Sequence, residues 1–454
     1  MIRNDYAGYR ITDDDATPVP TLTTTPVDAQ TFFSEYVSRR RPCVLNYLPR
    51  QDTAASDGVR GGITLSTLRR CAGDELVQVE KRLTNEDSFG KRRIDGVTQV
   101  TMPFRSFLDA MVGTGNEGES FYLSPQEGGT EEDEEDGLMT PCRQLMTEGL
   151  LEESIDIAGH MVRHACHLWM GKSVSGSSSG LHHDYHDNFY LLLSGKKRFR
   201  LFDPSAAAHM PLLGSVSRVY FNGRICYEGD EDCGADGIPF EEREFVELDD
   251  DDEEGDVVLG KGFDYESDGE EKEGFPDDEK DDFDDLFQKD APDDDDNDNG
   301  ESDDEEEVVL GKGFDYKSDD DDDEGFPDND EDDFDEMFQN NADDNDDMEK
   351  KPPANHFALI PPKLLDDKTN LSKHYPDFYE HAKECIVELT AGQTLYIPAG
   401  WFHEVTSFSS SDAGTDWGDC HAAVNYWYHP PDLLDCFEFP YRNEEYWRRR
   451  EVQE

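Results

Sequence analysis

The sequence predicts a mainly β fold, a barrel or double-sheet sandwich flanked by helices and interrupted by a long acidic insertion. Three features lead there: short strand-like runs in the second half, helix-spaced apolar residues before them, and one block of extreme charge. From His167 onward the chain runs through HLWMG, NFYLLLSG, KKRFRLFDP, CIVELTAG, TLYIPAG and AAVNYWY, all punctuated by glycine or proline. Strands joined by turns fit such aromatic and β-branched runs, and the period of a helix does not. Many strands need a second layer to bury them, which a barrel or double sheet supplies.

In chain order, residues 1–27 are polar and contain TPVPTLTTTP, which predicts a flexible leader. DAQTFFSEYVSRR then sets Phe32, Phe33, Tyr36 and Val37 at helical spacing, and PCVLNYL reads as a strand. A short helix is expected around Leu65 and Leu68, a strand in ELVQVEKRL, and a helix in PFRSFLDAMV with Pro103 near its first turn. ESFYLSP reads as a strand ending before Pro125, and EEDEED at 131–136 as a loop. The closing stretch predicts a terminal helix or tail over 438–454. A lid and a homodimer contact are the roles open to its basic cluster Arg448, Arg449 and Arg450.

Only 35% of the 454 residues are hydrophobic and the formal net charge is −67, so length overstates the folded part. Residues 251–350 hold 49 Asp or Glu against seven Lys. Repulsion between this charge and phosphates disfavours a nucleic acid as main partner, whereas a basic protein partner fits. Within the block VVLGKGFDY at 257–265 recurs at 308–316, EGFPDD at 273–278 returns as EGFPDN at 324–329, and DDFDDLFQ at 281–288 as DDFDEMFQ at 332–339. Each match is displaced by 51 residues, a tandem duplication. Two copies are too few for a solenoid and the acidic spacers prefer solvent, so 227–353 is expected to be a disordered insertion. No calcium loop with spaced ligands is present. Nine scattered cysteines without CxxC spacing, and no apolar run suited to secretion or to a bilayer, predict a cytoplasmic or nuclear protein with no membrane partner.

The chemistry concentrates in SSSGLHHDYHDNFYLLLSGKKRFRLFDPS. On an extended chain His182 and Asp184 point to one side, because strand side chains repeat every two residues. A third ligand is available in His403 of TLYIPAGWFHEV. Two imidazoles and one carboxylate on one face of an octahedral iron leave room for a bidentate 2-oxo acid and dioxygen. HxD alone arises by chance; followed by a lysine and a distal IPxGWxH, it has an order that chance rarely gives. His183 faces away on a regular strand, and His186 has the right parity but poor reach. Asp184 and His403 lie 219 residues apart, a separation that a surface insertion adds at small entropic cost. The strands on its two sides must then pair as if it were absent.

These fragments, with FFSEYVSRRRPCVL before them and VNYWY after, resemble the Jumonji C (cupin-like) family of iron(II)- and 2-oxoglutarate-dependent oxygenases. Within that family the likeness is greatest to the Jumonji-C-only lysyl hydroxylases. The resemblance implies a double-stranded β-helix of jelly-roll type, split into residues 28–226 and 354–437. It implies His182, Asp184 and His403 as catalytic metal ligands and Lys197 as partner of the distal carboxylate of 2-oxoglutarate. Tyr122 and Ser179 would add hydroxyls to that carboxylate, and Asn188, Tyr190 and Asn425 would line the pocket. Lys196 should face the other side of its strand, and Phe189, Trp401 and Trp427 are read as barrel or rim aromatics. Many relatives carry Thr at the place of Ser179, and Pro or Ser at the place of Gly180.

The cofactors so implied are Fe(II), with 2-oxoglutarate and O2 as co-substrates, and the products include succinate and CO2. The implied substrate is a protein or peptide, with a lysine side chain as target. Demethylation of methyl-lysine or methyl-arginine begins with the same oxidation and stays open as an alternative. So does a non-enzymatic role, in which the acidic repeats bind basic partners such as histones.

Overall fold

The computed structural model describes residues 2–46, 63–82, 97–112, 120–124, 137–240 and 355–447, with short gaps at 14, 16, 24–26, 174–175, 230–232, 410–416 and 444–445. The acidic repeats, the EEDEED run and Arg448, Arg449 and Arg450 fall outside the described residues.

The main strands in chain order are β1 (Cys43–Leu45), β2 (Arg163–Gly171), β3 (Asp187–Ser194), β4 (Lys196–Phe202), β5 (Cys385–Thr390), β6 (Thr394–Ile397), β7 (Phe402–Phe408) and β8 (His421–Tyr428). One sheet carries the order β1-β6-β3-β8-β2 and continues through Ser120–Leu123 and Leu76–Arg82 to Val97–Pro103. The other carries β5-β4-β7, with the short strands Ser177–Ser178 and His182–His183 pairing onto β7. Tyr190, Leu192, Phe199, Leu201, Leu389 and Leu395 come from both sheets and share one buried cluster, so the sheets enclose an interior.

Alternate residues of β3 and β8 point the other way. Phe189, Leu191, Val424 and Tyr426 meet Phe32, Leu68, Phe107 and Leu145 of the flanking helices. Burial on both faces explains why NFYLLLS reads as a continuous apolar run. Edge strand β5 keeps the alternation, with Ile386 and Glu388 exposed and Val387 and Leu389 buried. Helices form where the spacing places them, at Ala29–Phe32 with a π turn over Phe33–Val37, at Leu65–Ala72 and at Phe104–Val112. Asp28 caps the first by accepting from Thr31 N, and Thr64 with Thr67 closes a capping box on the second. Sequence patterning misses the helix Thr140–Thr147, the strand Val97–Pro103, and the helices Pro362–Asp366, Lys368–His374 and Pro376–His381. The last three span at most two turns, too short to display a period.

Several expected boundaries move. The leader over 1–27 is packed rather than free: Arg3–Asn4 pairs in parallel with Arg218–Val219, and Tyr6 and Ile11 are buried. Ile11 N donates to Asp203 Oδ2 at 2.9 Å, and Thr21–Leu22 adds a strand beside β1. Ladder bonds and two apolar anchors outweigh a polar composition there. The insertion expected from 227 starts later, since Tyr227, Asp236 and Ile238 are all buried. The tail expected from 438 is docked through Tyr441 and Trp447, which cluster with Val162 and Ile238. By compactness residues 1–247 and 345–454 form one unit. Strands on the two sides of the insertion pair directly, β4 with β5 from Lys196↔Thr390 to Leu201↔Cys385 and with β7 from Lys196↔Phe408 to Phe202↔Phe402. No described helix is long and apolar enough to cross a membrane.

Candidate metal centre

His182 lies on a two-residue strand that pairs with β7, which sets it opposite His403. Asp184 follows in the turn after it, and its carbonyl accepts from Gly400 N at 2.9 Å, so the PAGW turn clamps the HxD segment. Gly400 is required there: its φ is +76°, and a Cβ would fall 1.8 Å from Gly223 O. The outcome is convergence. One donor atom from each of His182, Asp184 and His403 lies within 4.8 Å of the other two, and His403 Nε2 stands 3.6 Å from Asp184 Oδ2.

The protons of the two imidazoles are placed by the backbone. His182 Nδ1 donates to Gly180 O at 3.0 Å and His403 Nδ1 to Trp401 O at 2.9 Å, since a carbonyl can only accept. Each Nε2 therefore keeps its lone pair for a metal, the arrangement by which hydrogen-bonded neighbours orient ligating histidines. Burial, reinforced by neighbouring His403, lowers the pKa of His182 to about 3, so its ring is neutral. The carboxylate is oriented by a relay: Trp169 Nε1 donates to Asn425 Oδ1 at 2.7 Å, Asn425 Nδ2 to Asn188 Oδ1 at 3.3 Å, and Asn188 Nδ2 to Asp184 Oδ2 at 3.1 Å. Two imidazoles and one carboxylate fit iron(II) as a donor set.

Two other trios lie equally close among the described residues, His164–His186–His429 and His209–Asp377–His381. Ring geometry separates them from the first. His164 and His186 stack at 3.8 Å with an interplanar angle of 5°, and His209 and His381 at 4.3 Å with 12°. A nitrogen lone pair lies in its ring plane, so parallel stacked rings cannot both aim at one ion. His182 and His403 are inclined at 55° and can. His183 faces away, with Nε2 against Tyr227 Oη at 2.7 Å, and His186 is taken up in its stack.

Deeper in the barrel, Lys197 pairs with Ser407, four residues along β4 from Leu201, which pairs with His403. An even separation keeps Lys197 and Leu201 on one face, about 13 Å apart along the strand. Lys197 is 1% exposed, donates from Nζ to Ser407 Oγ at 2.5 Å, and stands 5.8 Å from the centre of the Tyr190 ring. Burial lowers its pKa to about 7. Lys196 turns outward to Glu388 at 2.7 Å. Tyr122 and Tyr190 are buried, and that burial raises both phenols, which keeps their hydroxyls protonated.

Ser179 departs from its expected place. Its hydroxyl accepts from Val405 N at 3.1 Å and donates to Gly180 O at 3.0 Å, so the backbone consumes it, and the hydroxyl beside Lys197 belongs to Ser407. Neither Ser407 nor Trp169 stands out in the sequence. They share strand parity with the identified residues, a signal that becomes readable once the registers β2–β8 and β4–β7 are known. Phe189 and Trp401 are buried core aromatics, and Trp427 lies at the rim, edge-on to His167 at 4.8 Å.

Two sheets enclosing an inward His–Asp–His trio define a barrel of cupin type with a candidate metal centre. Residues 29–433 match the cupin-like domain family, and the chain belongs to that family as a JmjC-type domain, a group whose members are typically 2-oxoglutarate oxygenases. A curated relative is JmjC domain-containing protein 4 of Schizosaccharomyces pombe, 30% identical over 480 aligned residues that cover 98% of this chain and 91% of the yeast protein.

Proposed function

We propose that the chain is an iron(II)- and 2-oxoglutarate-dependent hydroxylase acting on a lysine side chain of a protein or peptide. One observation carries the reading: a convergent His182–Asp184–His403 trio and a buried amine, Lys197, face the same barrel interior. Three donors on one side of an octahedral ion leave three positions for reactants. Lys197, once protonated, offers the far end of a dicarboxylate a charge-assisted hydrogen bond, with Ser407 beside it.

Iron bound by the trio would supply dioxygen activation coupled to decarboxylation of 2-oxoglutarate to succinate and CO2. The chain supplies orientation. Backbone carbonyls fix the two imidazoles, and the Trp169–Asn425–Asn188 relay fixes the Asp184 carboxylate. Lysine as target is supported by the likeness to lysyl hydroxylases and by a net charge of −67, which attracts basic peptides. All nine cysteines are unpaired, which supports a cytoplasmic or nuclear setting.

The test is iron-reconstituted protein with 2-oxoglutarate and a library of lysine-containing peptides. Succinate should form in step with a product heavier by one oxygen, and both should vanish in Asp184→Ala. Formaldehyde with loss of a methyl group from a methylated peptide would instead make the chain a demethylase. Coupled oxidation that survives replacement of both His182 and Asp184 would refute the site.

A further inference from the structure

We propose that His421 is a further co-substrate-binding residue, giving an imidazole N–H to the same distal carboxylate that Lys197 holds. The inference rests on the function proposed above and adds a residue that neither motif nor resemblance singles out.

Strand register places it. His421 opens β8 opposite Gly171 of β2, and Gly171 in turn lies opposite Tyr122. Directly opposed residues share a face, and His421 is four residues before Asn425, so it points to the same interior as the Asp184 relay. Gly171 makes the arrangement possible. A Cβ there would fall 2.6 Å from Tyr122 Cδ2 and 3.0 Å from His421 Cε1, so the two rings converge over a residue that has no side chain. Their centres are 6.0 Å apart.

His421 is 0% exposed, yet neither ring nitrogen has a hydrogen-bond partner among the described residues. Native interiors avoid this. His183, equally buried, shows how a structural histidine is treated in this same fold. Its Nδ1 lies 3.2 Å from Asp184 O and its Nε2 2.7 Å from Tyr227 Oη.

The neighbourhood specifies the missing partner. Burial lowers the pKa of His421 well below its ordinary value and nearby Lys197 lowers it further, so the ring is neutral and carries one N–H. Around it stand the Lys197 amine, bonded to Ser407, and the Tyr122 phenol. The nearest carboxylate along that row, Glu80, lies on the far side of Tyr122 and accepts from Ser124 Oγ at 3.1 Å. A cluster of donors around a buried amine is built for an anion, and a carboxylate has lone pairs enough for Lys197 and His421 together.

The experiment uses the full chain with Zn(II) in place of iron, so that nothing turns over. Affinities for 2-oxoglutarate and for 2-oxobutyrate, which lacks the distal carboxylate, are measured by calorimetry in the wild type, His421→Phe and His421→Asn. His421→Phe should weaken 2-oxoglutarate about tenfold or more, as expected for a lost hydrogen bond to a charged group. Binding of 2-oxobutyrate should be unchanged, and His421→Asn, which keeps a side-chain N–H, should recover part of the loss. In the wild type the imidazole 15N–1H signal of His421, assigned by its absence from His421→Asn, should shift with 2-oxoglutarate and stay put with 2-oxobutyrate.

That second readout needs no folded Phe variant. An unmoved signal, unchanged affinity in His421→Phe, or equal loss for both ligands would overturn the assignment of His421 alone. A wild type that takes up Zn(II) but binds no 2-oxoglutarate would overturn the proposed function with it.

Discussion

Lys197 enters the barrel as an amine whose pKa burial has brought down to about 7. The titratable groups packed around it keep their charge near neutrality, because burial raises Tyr122 and Tyr190 and lowers His421. The sign of the pH effect follows. Below pH of about 7 the ammonium exists before the co-substrate arrives, and a dianion binds without exchanging a proton. Above it each binding event must take one up, so apparent affinity falls about tenfold per pH unit. Calorimetry in buffers of different ionisation enthalpy should show uptake approaching one proton on the alkaline side, and Lys197→Met should bind weakly with no uptake. A flat affinity profile through the alkaline range, together with unchanged affinity in Lys197→Met, would remove Lys197 from the site. At this scale the sequence was informative wherever the determinant is local. The parity of His182 and Asp184, and the turn before His403, are visible in a dozen residues. Ser407 and His421 are functional only through cross-strand register, which no local window contains.

Where elements meet, the sequence left more unread. Arg40, at a positive φ of 53°, follows the first helix and sends its guanidinium to Asp187, the first residue of β3; both are fully buried. Asp187 also accepts from Tyr396 Oη at 2.7 Å and Ala399 N at 2.9 Å, while Arg40 Nε donates to Asn222 O at 2.7 Å and Arg40 O accepts from Trp401 Nε1 at 3.2 Å. This one pair ties the helix–strand corner to β3, β6 and the PAGW turn that clamps Asp184. Asp187→Ala leaves a buried guanidinium without its counter-charge and should cost about 3–5 kcal/mol in urea unfolding, the magnitude seen when one partner of a buried pair is removed. Replacing both residues with apolar side chains of similar size should recover much of that, and a double-mutant sum equal to the two single losses would deny the coupling. Neither residue stands out in sequence, because an Arg after a helix and an Asp before a strand look like ordinary surface charges. The leader was misread for a related reason. Its anchors Tyr6 and Ile11 are too sparse to show a period, and its pairing partner Val216–Val219 is more than two hundred residues away.

Over the whole molecule, the insertion was legible as an interruption because the barrel motifs resume after it in the expected order. The pairing of β4 with β5 and β7 fits that: a strand from before the insertion lies between two from after it, with no gap in either register. A barrel whose strands already match across the break should fold without the repeats. We propose that the repeats act instead through charge, drawing a basic substrate or partner toward the protein. Deleting residues 251–350 removes a net −42 and leaves the barrel at −25. Thermal unfolding of the barrel and turnover of a short, saturating peptide should be unchanged, since neither uses the long-range field. Association with a basic protein should slow at low salt and lose most of its salt dependence, because exposed charges act over about 8 Å at physiological ionic strength and further when salt is lower. Stopped-flow association rates across a salt series, for the full chain and the deletion side by side, separate the effects. Parallel salt slopes for the two would leave the repeats without a steering role, and a lowered unfolding temperature in the deletion would show that the barrel does depend on them.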